Sequence, residues 1–233
     1  MNERYKMKIV RFDEIASTND YAKTQKSKGE NLIILAKRQT GGKGTKGRSF
    51  SSNEGGVYLT KLVFYKNFPA SNAFLIMART AVAVCKTLES FGLTPVIKWA
   101  NDVFVNGKKI CGILIENSFS GKTIGSSIIG VGLNVNNQLP TELNDIAISM
   151  REALGGEQDF SKVEAELIKN LGEPYEFSEY QKRVGFLNRE VTLVLSENKV
   201  SAIPLTVEED GALQVSIGGE IRKVYAGEVS LLV

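Results

Sequence analysis

Asn106-Gly107 constrains this chain more than any other pair of its residues. It stands between two apolar runs, Val103-Phe104-Val105 and Lys108-Lys109-Ile110-Cys111-Gly112-Ile113-Leu114-Ile115-Glu116. Asn-Gly in that setting supplies the two positive-φ residues of a tight β-hairpin. Such a hairpin brings the preceding segment, Val96-Ile97-Lys98-Trp99-Ala100-Asn101-Asp102, into the neighbourhood of Lys108 and Lys109. Thr123 to Val135 follows as another strand. Glycines at alternate positions, Gly130 and Gly132, bare one face of it to a backbone or a flat ligand.

The rest of the chain alternates in character. Lys8-Ile9-Val10-Arg11-Phe12 reads as a strand, and Ser17-Thr18-Asn19-Asp20 offers consecutive N-cap types before a short helix. One of these hydroxyls can cap while its neighbours face a ligand. Leu32-Ile33-Ile34-Leu35-Ala36 is a buried strand, and Val57 to Phe64 is a second. Ser71 is expected to cap a helix of about 20 residues ending at Gly92. Its apolar stripe (Phe74, Met77, Ala81, Val84, Leu88, Phe91) is core. Helical patterns cover Leu143 to Leu154, Ser161 to Leu171 and Pro174 to Arg183. From Leu187 the pattern changes to short β segments: Glu190–Leu195, Lys199–Val207, Ala212–Ile217, Glu220–Ala226 and Val229–Leu232. The expected domains are therefore residues 1–186 and a small β module, residues 187–233.

Composition removes several chemistries. There is no histidine among the 233 residues, which excludes Ser/His/Asp and Cys/His triads and His-ligated zinc. Chemistry here must rest on Lys/Arg electrostatics, backbone donors and carboxylates, and that favours work on phosphates. The net charge of +3 is too modest and too scattered for a nucleic-acid binder. Cys85 and Cys111 lack metal-site spacing and read as reduced core thiols. No signal peptide or membrane-length apolar run is found, so a cytoplasmic protein without a membrane partner is expected.

The strand at Leu32–Ala36 feeds into Gln39-Thr40-Gly41-Gly42-Lys43-Gly44-Thr45-Lys46-Gly47-Arg48. Glycines let main-chain N–H groups approach an anion closely, and the flanking cations suit phosphate or carboxylate. The stretch is neither a P-loop nor a dinucleotide fingerprint. By composition it reads equally as a solvated linker or an anion cradle.

Taken in order, six segments resemble those of biotin protein ligases: Ser17-Thr18-Asn19, Gln39 to Arg48, Lys98 to Asp102, Lys109 to Leu114, Gly130 to Asn134, and Gly227-Glu228-Val229-Ser230-Leu231. The resemblance runs from about residue 8 to the C-terminus, and implies the short form of the family, without an N-terminal DNA-binding domain. It further implies an α+β fold. A mixed, mostly antiparallel sheet would pack with helices in a class II synthetase-like catalytic domain, followed by an SH3-like β-barrel. The implied reaction joins biotin to ATP as biotinyl-5′-AMP and passes biotin to a lysine of a biotin carboxyl carrier protein. Mg2+ would accompany ATP, with Asp102 as a candidate metal ligand. Sheet-edge homodimers are compatible with the resemblance.

Residue roles carry over from the same resemblance. Ser17, Thr18, Asn19, Gln39, Lys43, Gly44, Thr45, Lys109 and Gly112 would bind biotin. Gly42, Arg48, Phe50, Lys98, Asn101, Asp102, Gly130, Gly132 and Asn134 would bind ATP, with Phe50 stacking on the base and Asn101 and Asn134 reading it. Lys109, Arg48 and Lys98 would be catalytic, while Lys46 and Lys108 read as solvated surface. The family loop usually reads Gly-Arg-Gly-Arg-Arg-Gly-Arg; Lys43 and Thr45 replace its first two arginines, which implies a more loosely retained adenylate. Phe50 replaces a usual Trp, and Ala100 a usual Pro. Two other readings stay open from the residues: a lipoate–protein ligase, which Lys37 to Lys43 matches only in part, and a protein that binds biotin or its adenylate without turnover.

Overall fold

The computed structural model describes residues 7–195, 198–226 and 229–232. The chain opens with β1 (Lys8–Ile15), α1 (Thr18–Gln25), β2 (Leu32–Gln39), β3 (Val57–Pro69) and α2 (Ala73–Ser90). Next come β4 (Val96–Lys98), β5 (Asp102–Val105), β6 (Lys108–Ser120) and β7 (Thr123–Leu133). Helices α3 (Met150–Leu154), α4 (Phe160–Asn170) and α5 (Phe177–Arg183) follow. The chain ends with β8 (Val191–Leu195), β9 (Asn198–Val207), β10 (Leu213–Ile217), β11 (Glu220–Val224) and β12 (Val229–Leu232).

Strands β1 to β7 form one mixed sheet in the order β1-β2-β3-β7-β6-β5-β4. Only β1 and β2 run parallel, joined through α1; the other pairs are antiparallel. Period-2 alternation sends neighbouring side chains to opposite faces. Ile33, Leu35, Val57 and Leu59 meet the core that includes α2, α4 and α5, whereas Ile34, Leu62 and Ile128 meet Ala22 of α1. Helix α1 covers only part of its face, and Gly112, Gly130 and Gly132 keep the remainder shallow. β8 to β12 form a separate antiparallel sheet in the order β11-β10-β9-β8-β12. Its inward residues Leu193, Val207, Leu213 and Val215 belong to the same core cluster as α2 and the large sheet.

Asn106 (φ 52°) and Gly107 (φ 75°) turn the β5–β6 hairpin. Several expected element ends shift, such as β3, which runs on to Pro69, and three helix starts shift for a visible reason. Ser71 lies in a 3-10 turn, Ala70–Asn72, where its hydroxyl donates to the side-chain Oδ1 of Asn72 at 3.1 Å; α2 starts at Ala73 with no side-chain cap. The expected helix at Leu143 to Leu154 shrinks to Met150–Leu154. The reason is main-chain competition: Lys109 N donates to Ile146 O at 2.9 Å, and Ile148 N to Lys109 O at 2.9 Å. Residues 146–148 thus pair with β6, and Ser149 caps the helix that remains through a capping box with Glu152. Likewise α5 begins at Phe177 rather than Pro174, behind a Glu176–Glu179 capping box. Gly227 and Glu228 of the C-terminal motif lie outside the described residues.

Candidate active site

On the α1 face of the large sheet, where the glycines leave room, lies a cavity of about 400 Å³. Every residue expected to serve as a site residue lines it except Gly42. Gly42 is a packing position: a Cβ there would run into Phe50 O and Ser52 Oγ.

The end beside α1 is neutral and densely hydrogen-bonded. Ser17 caps the helix, accepting from Asp20 N at 3.3 Å. This leaves the buried Thr18 and Asn19 pointing into the sheet face. Gln39 Oε1 accepts from Thr18 N at 2.8 Å and from Thr18 Oγ1 at 3.0 Å, while Gln39 Nε2 donates to Ser52 Oγ at 2.9 Å. Thr60 Oγ1 lies 2.8 Å from Thr18 Oγ1 and 2.6 Å from Asn19 Oδ1. The series amide oxygen, hydroxyl, hydroxyl, amide oxygen has three contacts but only two hydroxyl protons to fill them. Acceptor capacity is therefore left over for a ligand's N–H groups. Thr60 and Ser52 are additions to the expected set. For Thr60 the available signal was a hydroxyl within the largely apolar run Val57 to Phe64; Ser52 had none.

The glycine stretch is a folded hairpin. Gly44 N donates to Arg48 O at 2.7 Å, Phe50 N to Gly42 O at 2.9 Å, and Gln39 N to Ser52 O at 3.1 Å. Lys46 (φ 56°) and Gly47 (φ 74°) turn its tip. Lys43 leaves the loop to pair with Asp20 of α1 at 2.7 Å. Arg48 folds back on the tip, donating through Nη2 to Thr45 Oγ1 at 3.0 Å. Lys46 does not line the cavity, and Lys108, also outside it, donates to Asn144 O at 2.7 Å.

The far end is cationic. Lys109 pairs with Asp102 at 2.8 Å, and its ammonium also lies 5.9 Å from the Phe50 ring centre. Lys98 sits 5.3 Å from the Phe104 ring centre. Burial holds the Lys98 ammonium below the ordinary lysine value, and Lys109 and Arg48 push the same way against the pull of Asp102. Like charge felt across the cavity marks a site short of anions. Phe50 packs on the glycine floor between the two ends; a Cβ on Gly132 would lie 2.5 Å from its ring.

The wall bearing Lys98, Asn101 and Asp102 is clamped from behind. Trp99 Nε1 donates to Gly211 O of the β9–β10 turn at 3.1 Å, and the buried Tyr180 hydroxyl to Ala100 O at 3.0 Å. Asn101 Nδ2 donates to Ile113 O at 3.1 Å and Asn134 Nδ2 to Ile148 O at 3.3 Å. As the cavity stands, both asparagines hold its wall. A metal cage does not fit these residues: among the described residues Asp102 is the one carboxylate lining the cavity, and it is engaged by Lys109. No cluster of three metal-binding side chains occurs among the described residues.

A neutral donor-seeking pocket joined to a cationic one suits a molecule with an uncharged polar head and an anionic tail, the kind of site an acyl-adenylate-forming ligase needs. Comparison with known proteins agrees: residues 12–134 match the model of the biotin/lipoate A/B protein ligase family, and this chain belongs to that family. Residues 186–232 match the biotin protein ligase C terminal domain. The chain is 28% identical to the bifunctional ligase/repressor BirA of Bacillus subtilis over 96% of its own length and 74% of that protein's. It is 25% identical to the biotin–[acetyl-CoA-carboxylase] ligase of Mycobacterium tuberculosis, over 86% and 79% of the two chains. Among solved structures, the biotin protein ligase of Aquifex aeolicus in complex with biotin and ATP superposes with a TM-score of 0.80 at 27% identity, covering 97% of this chain and 98% of that one.

Proposed function

We propose that this chain activates biotin with ATP and transfers it to a lysine of a biotin carboxyl carrier protein, as a biotin–[acetyl-CoA-carboxylase] ligase. The observation that carries the reading is the union, in one cavity, of a hydrogen-bond series with spare acceptors and a cluster of cations. Biotin's ureido ring presents two N–H donors to Thr18, Asn19 and Gln39. Its carboxylate then points along the glycine floor to Lys109. There the carboxylate oxygen attacks the α-phosphorus of ATP; the new O–P bond forms as the bond to pyrophosphate breaks. Both reactants are anionic, so the barrier falls chiefly by positioning and by cations placed where charge develops. Lys109 stands at the junction, Lys98 and Arg48 face the phosphates, and Phe50 separates the two subsites. Any magnesium would reach the cavity on nucleotide phosphates and water rather than on a protein cage.

In the second half-reaction a neutral lysine amine of the carrier attacks the biotinyl carbonyl, and AMP leaves. The C–N bond forms as the C–O bond to AMP breaks, and the amine proton passes to solvent. No histidine is required in the first half-reaction either, because the attacking biotin carboxylate is already ionised. We assign the catalytic unit to residues 1–186 and a bracing role to residues 187–233, through Trp99 and Gly211. A cytoplasmic setting accords with the buried, unpaired thiols of Cys85 and Cys111; no helix among the described residues is long and apolar enough to cross a membrane. Incubation with ATP, labelled biotin and an apo carrier domain, with lipoate as competitor, tests the reading. Label on the carrier that lipoate does not suppress is expected. Absence of carrier-bound label would sink the enzyme reading, and lipoyl transfer would sink biotin specificity.

A further inference from the structure

Glu116 stands just outside the neutral end, on β6, opposite Ile128 of β7. Its carboxylate has two partners: Lys23 of α1, 2.8 Å from Oε1, and Asn19 Nδ2, which donates to Oε2 at 3.4 Å. The two ends of an asparagine amide are almost identical in shape, so partners decide which end is oxygen. An ionised carboxylate only accepts hydrogen bonds. Glu116 therefore admits only the NH₂ of Asn19 on its side and sends Oδ1 toward Thr60, 2.6 Å away. Gly130 supplies the flat seat beneath: a Cβ there would lie 2.5 Å from Asn19 Oδ1. The carboxylate is itself held in place, since Lys23 also pairs with Asp20 at 3.1 Å.

We propose that Glu116 is a positioning residue for substrate selection: it locks the Asn19 amide with its acceptor toward Thr60 and the cavity. With that lock, the neutral end keeps the surplus of acceptors that a cyclic urea, bearing two N–H donors, requires. A reversed Asn19 would trade an acceptor for a donor and repel the same head group. The proposal rests on the biotin reading given above and names the residue that enforces it.

Full-length Glu116→Gln tests it, with Glu116→Leu as a second variant should the first lose cooperative unfolding. Glutamine keeps the shape but donates as readily as it accepts, so Asn19 is no longer fixed. Biotin dissociation constants measured by calorimetry without ATP should rise about tenfold, in line with the loss of a hydrogen bond to a charged partner. The KM for ATP should stay within about twofold. In an Asn19→Ala background the same substitution should change biotin affinity by less than about twofold, because its route of action is gone. Unchanged biotin affinity, or an equal loss with Asn19 already removed, overturns the positioning role. A wild-type protein that fails to bind biotin in the same titration overturns the functional reading first.

Discussion

The two ends of the cavity are finished to different degrees. At the neutral end, protein groups meet protein groups: Thr18, Asn19, Gln39, Ser52 and Thr60 are tied to one another before any ligand arrives. At the cationic end Lys109 has Asp102, whereas Lys98 and Arg48 face the cavity with no carboxylate of their own among the described residues. The first end discriminates by a fixed pattern of donors and acceptors. The second is completed by its ligand. Removing Lys109 should break this contrast most severely. Lys109→Met is expected to lower kcat/KM for pyrophosphate release about 10³-fold, the scale for losing one group aimed at developing charge. Biotin affinity without ATP should change only a few-fold. An equal loss of biotin affinity would mean that the ends are not separate.

Gly130→Ala attacks the other end. The added methyl must displace the Asn19 amide, with 2.5 Å between the new Cβ and Oδ1. Loss of one or two hydrogen bonds there should raise the biotin KM roughly ten- to thirtyfold and leave the ATP KM nearly unchanged. A rise in both would show that the glycine floor, rather than Asn19, sets the fit.

Retention of the intermediate is the property through which the loop tip, which borders the cavity at Thr45 and Arg48, can be tested. Arg48 now rests on Thr45, where the family usually has a further arginine. Thr45→Arg adds a cation and displaces Arg48 toward the phosphates. It should slow release of biotinyl-5′-AMP roughly three- to tenfold, about the value of one partly exposed charge pair. Chase experiments and labelling of bystander lysines both report this; unchanged release would remove Thr45 from the account of retention.

Much of the site was legible because it is made of local signals. Asn106-Gly107 had to turn, and the turn had to deliver Lys109 to Asp102. The alternate glycines of β7 had to bare a face. What the sequence could not show were choices between equally good main-chain partners. Residues 146–148 carry a helical pattern, yet they bond β6, because Lys109 offers both an N–H and a C=O at that edge. Thr60 and Glu116 escaped for a related reason: their roles depend on Asn19, distant in sequence, and no spacing rule links them. The glycine loop, ambiguous by composition, is settled as a hairpin only by the pairing of Lys43 with Ser49.

Lys61 offers the mildest test of the cationic end, as its counterpart on the opposite face of the sheet. It follows Thr60 on β3, so its side chain points away from the cavity, toward α4, and donates to Leu171 O at 3.0 Å. No carboxylate pairs with it among the described residues, and burial, with repulsion from Arg79, pushes it down to about 8. Lys98 is depressed by the same causes, but anionic substrate would relieve it; nothing relieves Lys61. Below pH 8 Lys61 is charged in both folded and unfolded chains, and the native state bears the full cost of burying the charge. Between pH 8 and the ordinary lysine value the unfolded chain holds more protons than the native one, so stability rises with pH. Lys61→Met should therefore stabilise the protein at pH 7, by about 1 kcal/mol or roughly 2–4 °C in Tm for a chain of this size. The figure is held to about 1 kcal/mol because the substitution also gives up the bond to Leu171 O; Arg79 bonds the next two carbonyls, Gly172 O at 3.2 Å and Glu173 O at 3.0 Å, and keeps that turn in place. The gain should fade as pH rises toward 10.5, and activity should stay within about twofold at every pH, since the residue faces away from the chemistry. A stabilisation that persists unchanged at pH 10.5 would show that packing, and not the buried charge, separates Lys61 from Lys98.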